Sequence, residues 1–160
     1  MHPTKNDLSK STRAKVINLL NARLADALDL QMQAKQAHWN VKGPSFIALH
    51  ELFDKVAESV EEAIDQLAER AVQLGGTAEG TLQAVTKRTS LKPYPLALVD
   101  GLAHVDALSN AMAIYGKKLR AAAGDADKLK DDGTADLLIA LSQDADKYLW
   151  FVEAHLEGNR

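Results

Sequence analysis

The chain has 160 residues, of which 46% are hydrophobic and 26% charged, and it carries a net charge of −3 at pH 7. This length predicts one domain with its own core, and the absence of cysteine excludes disulfide scaffolds, iron–sulfur clusters and cysteine nucleophiles. Alanine and leucine are abundant, glycine and proline are scarce, and no apolar run reaches the roughly 18 residues of a membrane span, so we expect a soluble, cytoplasmic, all-α protein.

Residues 1–10 are predicted to form a flexible basic arm. The cations at the start of the chain are Lys5, Lys10, Arg13 and Lys15. A local excess of cations on an acidic protein is typical of a solvated tail, and also of an arm that contacts DNA. Both interpretations stay open on this evidence.

The spacing of apolar residues predicts four long helices, at about 9–38, 45–74, 96–123 and 134–156. Ser45 is a candidate N-cap for the second helix, and Gly75 is a candidate stop for it. An acidic loop that contains Gly124 and Gly133 is predicted between the third and fourth helices.

The connection at 75–94 is much longer than the other two. Short connections join antiparallel neighbours, whereas about 20 residues suffice to cross the length of a bundle. Within this connection, residues 82–87 predict a short helix. The pattern predicts a ferritin-like four-helix bundle at 11–157, with one long crossover carrying a short helix between the second and third helices. A short C-terminal tail is predicted at 158–160.

The second helix carries two pairs of candidate metal ligands along the border of its apolar stripe. His50 and Asp54 are four residues apart, as are Asp65 and Glu69, so each pair can hold one cation. The pairs lie roughly 16 Å apart along the helix axis, too far for one ion bound at about 2 Å from each ligand. Either these are unrelated surface charges, or a two-fold dimer brings one pair of each chain to the other pair of its neighbour.

The usual intra-bundle di-iron pattern is absent from the sequence. Such sites use Glu-x-x-His on two helices, and no glutamate in this chain has a histidine three positions later. An iron site in this protein is therefore not expected inside a single bundle.

Two stretches of sequence resemble the Dps family, the mini-ferritins known as DNA-binding proteins from starved cells. They are KQAHWNVKGPSFIALHELFD at 35–54 and DQLAERAVQLGG at 65–76. The similarity reappears at 134–136 and 146–151, and covers nearly the whole chain after the first dozen residues. The resemblance implies a hollow homo-dodecameric shell of ferritin-like bundles with ferroxidase sites at two-fold dimer interfaces.

The resemblance also implies which residues bind iron. By position, one subunit supplies His38, His50 and Asp54, and its neighbour supplies Asp65 and Glu69. Imidazole and carboxylate ligands suit Fe(II) and also admit zinc, manganese or cobalt. In the family, Fe(II) is oxidised, typically with hydrogen peroxide as the preferred acceptor over dioxygen, and ferric oxide is stored in the cavity, which protects DNA from oxidative damage. The alternatives are a nucleoid-compacting DNA-binding protein and a non-redox store for zinc or manganese.

Two further groups of residues have open roles. Trp39 is either a packing residue or a quencher of stray oxidising radicals. Asp136 and Asp144 are candidates for lining three-fold pores that draw Fe(II) inward, since clefts of one charge sign concentrate counter-ions. The same acidic region reads equally as a solvated surface, and it also contains Asp125, Asp127, Asp131 and Asp132.

Overall fold

Four long helices and one short helix make up the fold. A computed structural model describes residues 1–158 and contains helices α1 (Lys10–Asn40), α2 (Phe46–Gln73), α3 (Leu82–Arg88), α4 (Gly101–Lys128) and α5 (Asp132–Glu157). The prediction of an all-α, four-helix bundle with a short helix on its long crossover is confirmed, the crossover helix being α3. Residues 159–160 of the predicted tail lie outside the described part of the chain.

The helix ends follow from capping groups. Ser9 and Asp100 each accept hydrogen bonds from backbone N–H groups in the first turns of α1 and α4. Ser45 precedes α2 as predicted, although its side chain makes no capping hydrogen bond. At the far end of α2, Gly75 adopts a φ of 85°, and the N–H of Gly76 bonds to the carbonyl of Ala71. This arrangement is a Schellman motif, which favours glycine at the position with positive φ.

The predicted boundaries around α4 are wrong. The helix begins at Gly101 and not near residue 96, because the Asp100 carboxylate accepts from the first free N–H groups of the helix. It then continues through Gly124 to Lys128, so the predicted acidic loop is helical over most of its length. A single exposed glycine costs a helix roughly 1 kcal/mol, which the packing of the adjacent Ala122, Ala123 and Ala126 readily offsets.

Helix α1 holds the crossover along its length through buried polar side chains. Asn21 donates to the carbonyl of Thr77 and accepts from the N–H of Glu79. Asp26, which is fully buried, accepts from the N–H and the hydroxyl of Ser90. These bonds satisfy crossover backbone groups that would otherwise be buried without partners. They fix the long connection against one helix of the bundle.

The N-terminal segment rests against the end of α2. The N–H of His2 donates to the carbonyl of Gly75 at 2.7 Å, and the Arg13 guanidinium donates to the carbonyl of Leu74 at 3.0 Å. Of the four cations assigned to the arm, Arg13, Lys10 and Lys15 lie on α1, and only Lys5 precedes the helix. Over residues 1–158, no helix is both long and apolar enough to cross a membrane.

A buried histidine joins the end of the crossover to α4. The His104 ring is only 1% exposed; its Nε2 donates to the carbonyl of Leu98, so its Nδ1 accepts from the Tyr94 hydroxyl. Burial lowers the pKa of His104 and raises that of Tyr94. The neutral ring is therefore built into the fold.

We expect the stability of the protein to fall as the pH is lowered below about 6.5. The unfolded chain then takes up a proton that the folded His104 does not bind, so the free energy of unfolding decreases with decreasing pH.

Replacing Tyr94 with Phe removes the donor to Nδ1 of His104 and is expected to lower the free energy of unfolding by about 1–2 kcal/mol. Thermal unfolding midpoints across this pH range test both effects, with Tyr148→Phe as the control. A pH-independent midpoint contradicts the assignment.

Candidate metal centre

His38 and His50 bind each other's backbone where α1 ends and α2 begins. Nδ1 of His38 lies 2.7 Å from the carbonyl oxygen of His50, and Nδ1 of His50 lies 2.8 Å from the carbonyl oxygen of His38. The two rings stack with centroids 3.7 Å apart. The last carbonyls of an α-helix have no partner within the helix, so the bond from His50 satisfies one of them at the end of α1.

These two bonds determine which ring nitrogen is free. A carbonyl oxygen only accepts hydrogen bonds, so both Nδ1 atoms carry a proton. In the neutral rings the lone pair then lies on Nε2, which is the atom available to a metal ion. Metal-binding histidines are commonly oriented in this way by a backbone carbonyl on the other nitrogen.

Asp54 lies one helical turn after His50 and forms an ion pair with Lys35 of α1. The Lys35 Nζ is 2.6 Å from Oδ1 of Asp54. The hydrogen bond from Lys35 is the main cause that lowers the pKa of Asp54; partial burial opposes it, and the charges of the nearby histidines and of Lys35 assist it. Asp54 is therefore a carboxylate at neutral pH, with an ammonium group already next to it.

The spacing of the candidate ligands along α2 does not point to Lys35, because Lys35 reaches Asp54 from α1. The only sequence signal for it is its place three residues before His38, which puts both side chains on the same face of α1.

Asp65 and Glu69 lie toward the opposite end of α2 from His50 and Asp54. Both side chains are exposed, and neither forms an ion pair with any cation in residues 1–158. Within that described part of the chain, no three His, Asp or Glu side chains come close enough together to hold a metal ion. We call His38, His50 and Asp54 the histidine half-site, and Asp65 and Glu69 the carboxylate half-site.

Exposed apolar side chains surround the histidine half-site. Trp39 is 63% exposed and Ile47 is 61% exposed, and the Lys35 Nζ lies 5.8 Å from the centre of the Trp39 ring system. Large exposed apolar groups next to polar ones mark interaction surfaces. Within one chain Trp39 packs against little, so its packing interpretation requires a second molecule.

The acidic residues at the α4–α5 junction have different environments. Asp136 and Asp144 are exposed on α5, about 12 Å apart along its axis. Asp131 is buried and paired with Arg70, so it is unsuited to lining a pore. Asp125 pairs with Lys128 within α4. Asp127 and Asp132 are exposed on α4 and α5.

The sequence matches the ferritin-like domain family over residues 17–160. It is 47% identical to the DNA protection during starvation protein of Agrobacterium fabrum, in an alignment covering 98% of this chain and 96% of that protein. It is 36% identical to the DNA protection during starvation protein of Mycolicibacterium smegmatis, over 94% of this chain and 82% of the relative.

Solved structures agree with this relationship. The tetragonal form of Mycobacterium smegmatis Dps has a TM-score of 0.92 at 34% identity, covering 98% of this chain and 94% of that one. DpsA14 from Streptomyces coelicolor has a TM-score of 0.91 at 37% identity, covering 96% and 90% of the two chains. These identities and coverages extend the likeness beyond the fold to most of the sequence.

We expect Lys35→Gln to strengthen binding of a divalent cation at Asp54. The ammonium of Lys35 competes with any incoming cation for the same carboxylate, so its removal is expected to lower the dissociation constant several-fold. Calorimetric titration of the assembled protein with Co(II) measures this constant. Lys55→Gln, an exposed position on α2 next to Asp54, is the matched control for the loss of a charge. A dissociation constant that is unchanged or higher in Lys35→Gln contradicts the competition.

Proposed function

The chain belongs to the Dps family of ferritin-like proteins, and from this we propose that it is an iron-storage ferroxidase. It oxidises Fe(II) at sites shared by two chains, preferentially with hydrogen peroxide over dioxygen. It stores the ferric oxide inside a dodecameric shell in the cytoplasm. Removal of Fe(II) and peroxide together protects DNA, in keeping with the names of its relatives.

The observation that carries this proposal is the division of the ligands into two half-sites on one helix. A second chain, antiparallel to the first about a two-fold axis, brings Asp65 and Glu69 of the partner subunit to the histidine half-site. The same symmetry makes a second, identical site. Each complete site then has two imidazole nitrogens and three carboxylates, a set that suits Fe(II).

Exposed apolar side chains near both half-sites support the shared site. Trp39 and Ile47 border the histidine half-site, and Val72, which is 54% exposed, lies one turn from Glu69. A shallow depression lined in part by Ala68, Val72 and Ala78 adjoins the carboxylate half-site. Interfaces between subunits have such apolar cores with polar groups at particular positions.

Two irons at one site match the two-electron reduction of hydrogen peroxide. Two Fe(II) ions each lose one electron, the O–O bond of one hydrogen peroxide breaks, and two protons complete two water molecules. Because both electrons reach one peroxide, no hydroxyl radical is released. Carboxylates are hard oxygen ligands that favour the Fe(III) product, so they make the oxidation easier. In this proposal Trp39, next to His38 in the chain, intercepts radicals that arise when only one iron is present.

The charge of the assembly supports uptake of Fe(II). A net charge of −3 per chain becomes about −36 over twelve chains. We assign Asp136 and Asp144 to the pores through which Fe(II) enters. Both are exposed, as a pore-lining role requires.

Two alternative functions can be compared with the ferroxidase: compaction of DNA, and storage of a metal without oxidation. A nucleoid-compacting protein would bind DNA through the N-terminal cations, but Arg13 is already bound to the end of α2, and an acidic shell repels phosphate. A store for zinc or manganese would use the same ligands without oxidation, since imidazole and carboxylate also accept these metals.

We expect the double variant His50→Ala, Asp54→Ala to oxidise Fe(II) with peroxide at least about tenfold more slowly than the wild type, because it lacks two ligands. Stopped-flow absorbance of the ferric product measures the rate. The control is His155→Ala with Asp106→Ala, which removes the same residue types from α5 and α4. An unchanged oxidation rate in the double variant contradicts the ferroxidase proposal. Uptake of zinc or manganese by the wild type, without oxidant-dependent oxidation of iron, favours the non-redox store.

Mixed assemblies test whether two chains share each site. In a mixed dimer of His50→Ala, Asp54→Ala chains with Asp65→Ala, Glu69→Ala chains, one of the two sites keeps all its ligands and the other loses four of them. Reassembled mixtures are therefore expected to regain oxidation that neither parent shows alone. No recovery in mixtures of confirmed mixed composition contradicts a shared site.

We expect deletion of residues 1–8 to weaken any binding of the protein to DNA, because it removes Lys5, the one arm cation that precedes α1, and it keeps Ser9, the N-cap of that helix. A gel shift at increasing salt measures the binding, and its salt dependence reports the phosphate contacts. Lys5→Gln in the full chain is the milder companion variant. Undiminished DNA binding by the truncated protein removes the N-terminal segment from the DNA-binding alternative.

A further inference from the structure

The carboxylate half-site depends on the position of the α2 backbone. Asp65 and Glu69 have no cation within residues 1–158 to orient them, in contrast to Asp54, which has Lys35. The positions of these two carboxylates therefore depend on the contacts that hold the last turns of α2. Arg70, the next residue after Glu69, points away from them and toward α5.

The Arg70 guanidinium forms a fork onto the first turn of α5. Its Nε donates to Oγ1 of Thr134 at 2.9 Å, and its Nη2 donates to Oδ1 of Asp131 at 2.9 Å. A Cβ atom added at Gly133 would lie 3.2 Å from Nη2, so the guanidinium packs closely over this turn. Arginine holds such two-point contacts because its donors lie in one rigid plane.

The acceptors of this fork are themselves fully bound. Asp131 is 3% exposed and Thr134 is 0% exposed. Oδ1 of Asp131 accepts from the N–H of Thr134 at 3.0 Å, and Oδ2 accepts from the Thr134 hydroxyl at 2.6 Å. Asp131 is thus both the N-cap of α5 and the counter-ion of Arg70. A buried ionic network in which every member is bonded is rigid.

A small cavity lies along the contact between α2 and α5, away from this fork. This cavity of about 20 Å³, room for about one water molecule, lies between Ser59, Ala63 and Gln66 of α2 and Leu141, Asp144 and Tyr148 of α5. Among residues 1–158, Arg70–Asp131 is the one salt bridge that joins these two helices. Arg70 therefore supplies the ionic connection between α2 and α5 next to the carboxylate half-site.

We propose that Arg70 is a positioning residue for iron oxidation, because its fork onto Asp131 and Thr134 holds the end of α2 where Asp65 and Glu69 reach the metal shared with the partner subunit. This inference rests on the proposed function. Each half-site is then held by its own hydrogen bonds. The reciprocal histidine bonds hold one end of α2, and the Arg70 network holds the other.

The test uses Arg70→Lys and Asp131→Asn in the assembled protein, with Co(II) as the probe. Lysine keeps the charge and loses the fork, whereas asparagine keeps the N-cap of α5 and loses the charge. We expect the Co(II) dissociation constant to rise several-fold in both, with a changed visible absorption band, because a displaced end of α2 moves Asp65 and Glu69 away from the ion that they share with the histidine half-site. Arg120→Lys, which weakens a similar pair with Asp146 on the α4–α5 surface, is the control and is expected to bind Co(II) as the wild type does.

Three outcomes decide between the possibilities. Folded Arg70→Lys and Asp131→Asn proteins with wild-type Co(II) affinity and absorption overturn the inference, even if they melt at a lower temperature. Weaker binding with an altered band in these variants, but not in Arg120→Lys, supports it. If the wild type binds no Co(II) in a manner that depends on His50, the proposed function fails first, and the inference fails with it. Thr134→Val, which removes one arm of the fork, replaces any variant that does not fold.

Discussion

The reciprocal hydrogen bonds between His38 and His50 are the constraint on which the rest of the centre depends. The Nδ1–H of each ring donates a hydrogen bond to a backbone carbonyl of the other helix. The same two contacts therefore orient both side chains and join the two helices. The bond to the end of α1 also satisfies a carbonyl that the helix cannot satisfy itself. The two candidate ligands are thus oriented by the capping of a helix end, and neither ring can turn without leaving its Nδ1–H unpaired.

Polar side chains along α1 likewise bond backbone groups of another segment, the crossover. Its buried polar residues would be out of place in a purely apolar core, yet each satisfies a particular group of the crossover, as Asp26 does for Ser90. These bonds fix the crossover against α1, and the bonds of His104 to Tyr94 and Leu98 join its end to α4. Helix α2, placed between α1 and α5, is then held near each end by a polar contact, at His50 and at Arg70.

Apolar spacing predicts the helices and their connectivity well, because four amphipathic helices with one long link have few ways to bury their faces. It predicts helix ends less well, because these depend on single capping groups such as Asp100 and on the tolerance of α4 for Gly124. The spacing of residues along α2 predicts two ligand pairs, but the side chains that position this helix and its ligands reach them from, or bind to, other helices. Lys35 and Arg70 are unremarkable charges in sequence, and only the packing of α1 and α5 shows what they contact.

The separation of the two half-sites has a consequence for when the chemistry can begin. In the proposed arrangement a single chain, including one newly made and not yet assembled, lacks a complete set of ligands. Redox cycling of iron by isolated subunits is therefore suppressed by geometry alone, and activity at low protein concentration rises faster than linearly with that concentration. In this arrangement the site is completed at the first step of assembly, the pairing of two chains, before any larger shell is closed.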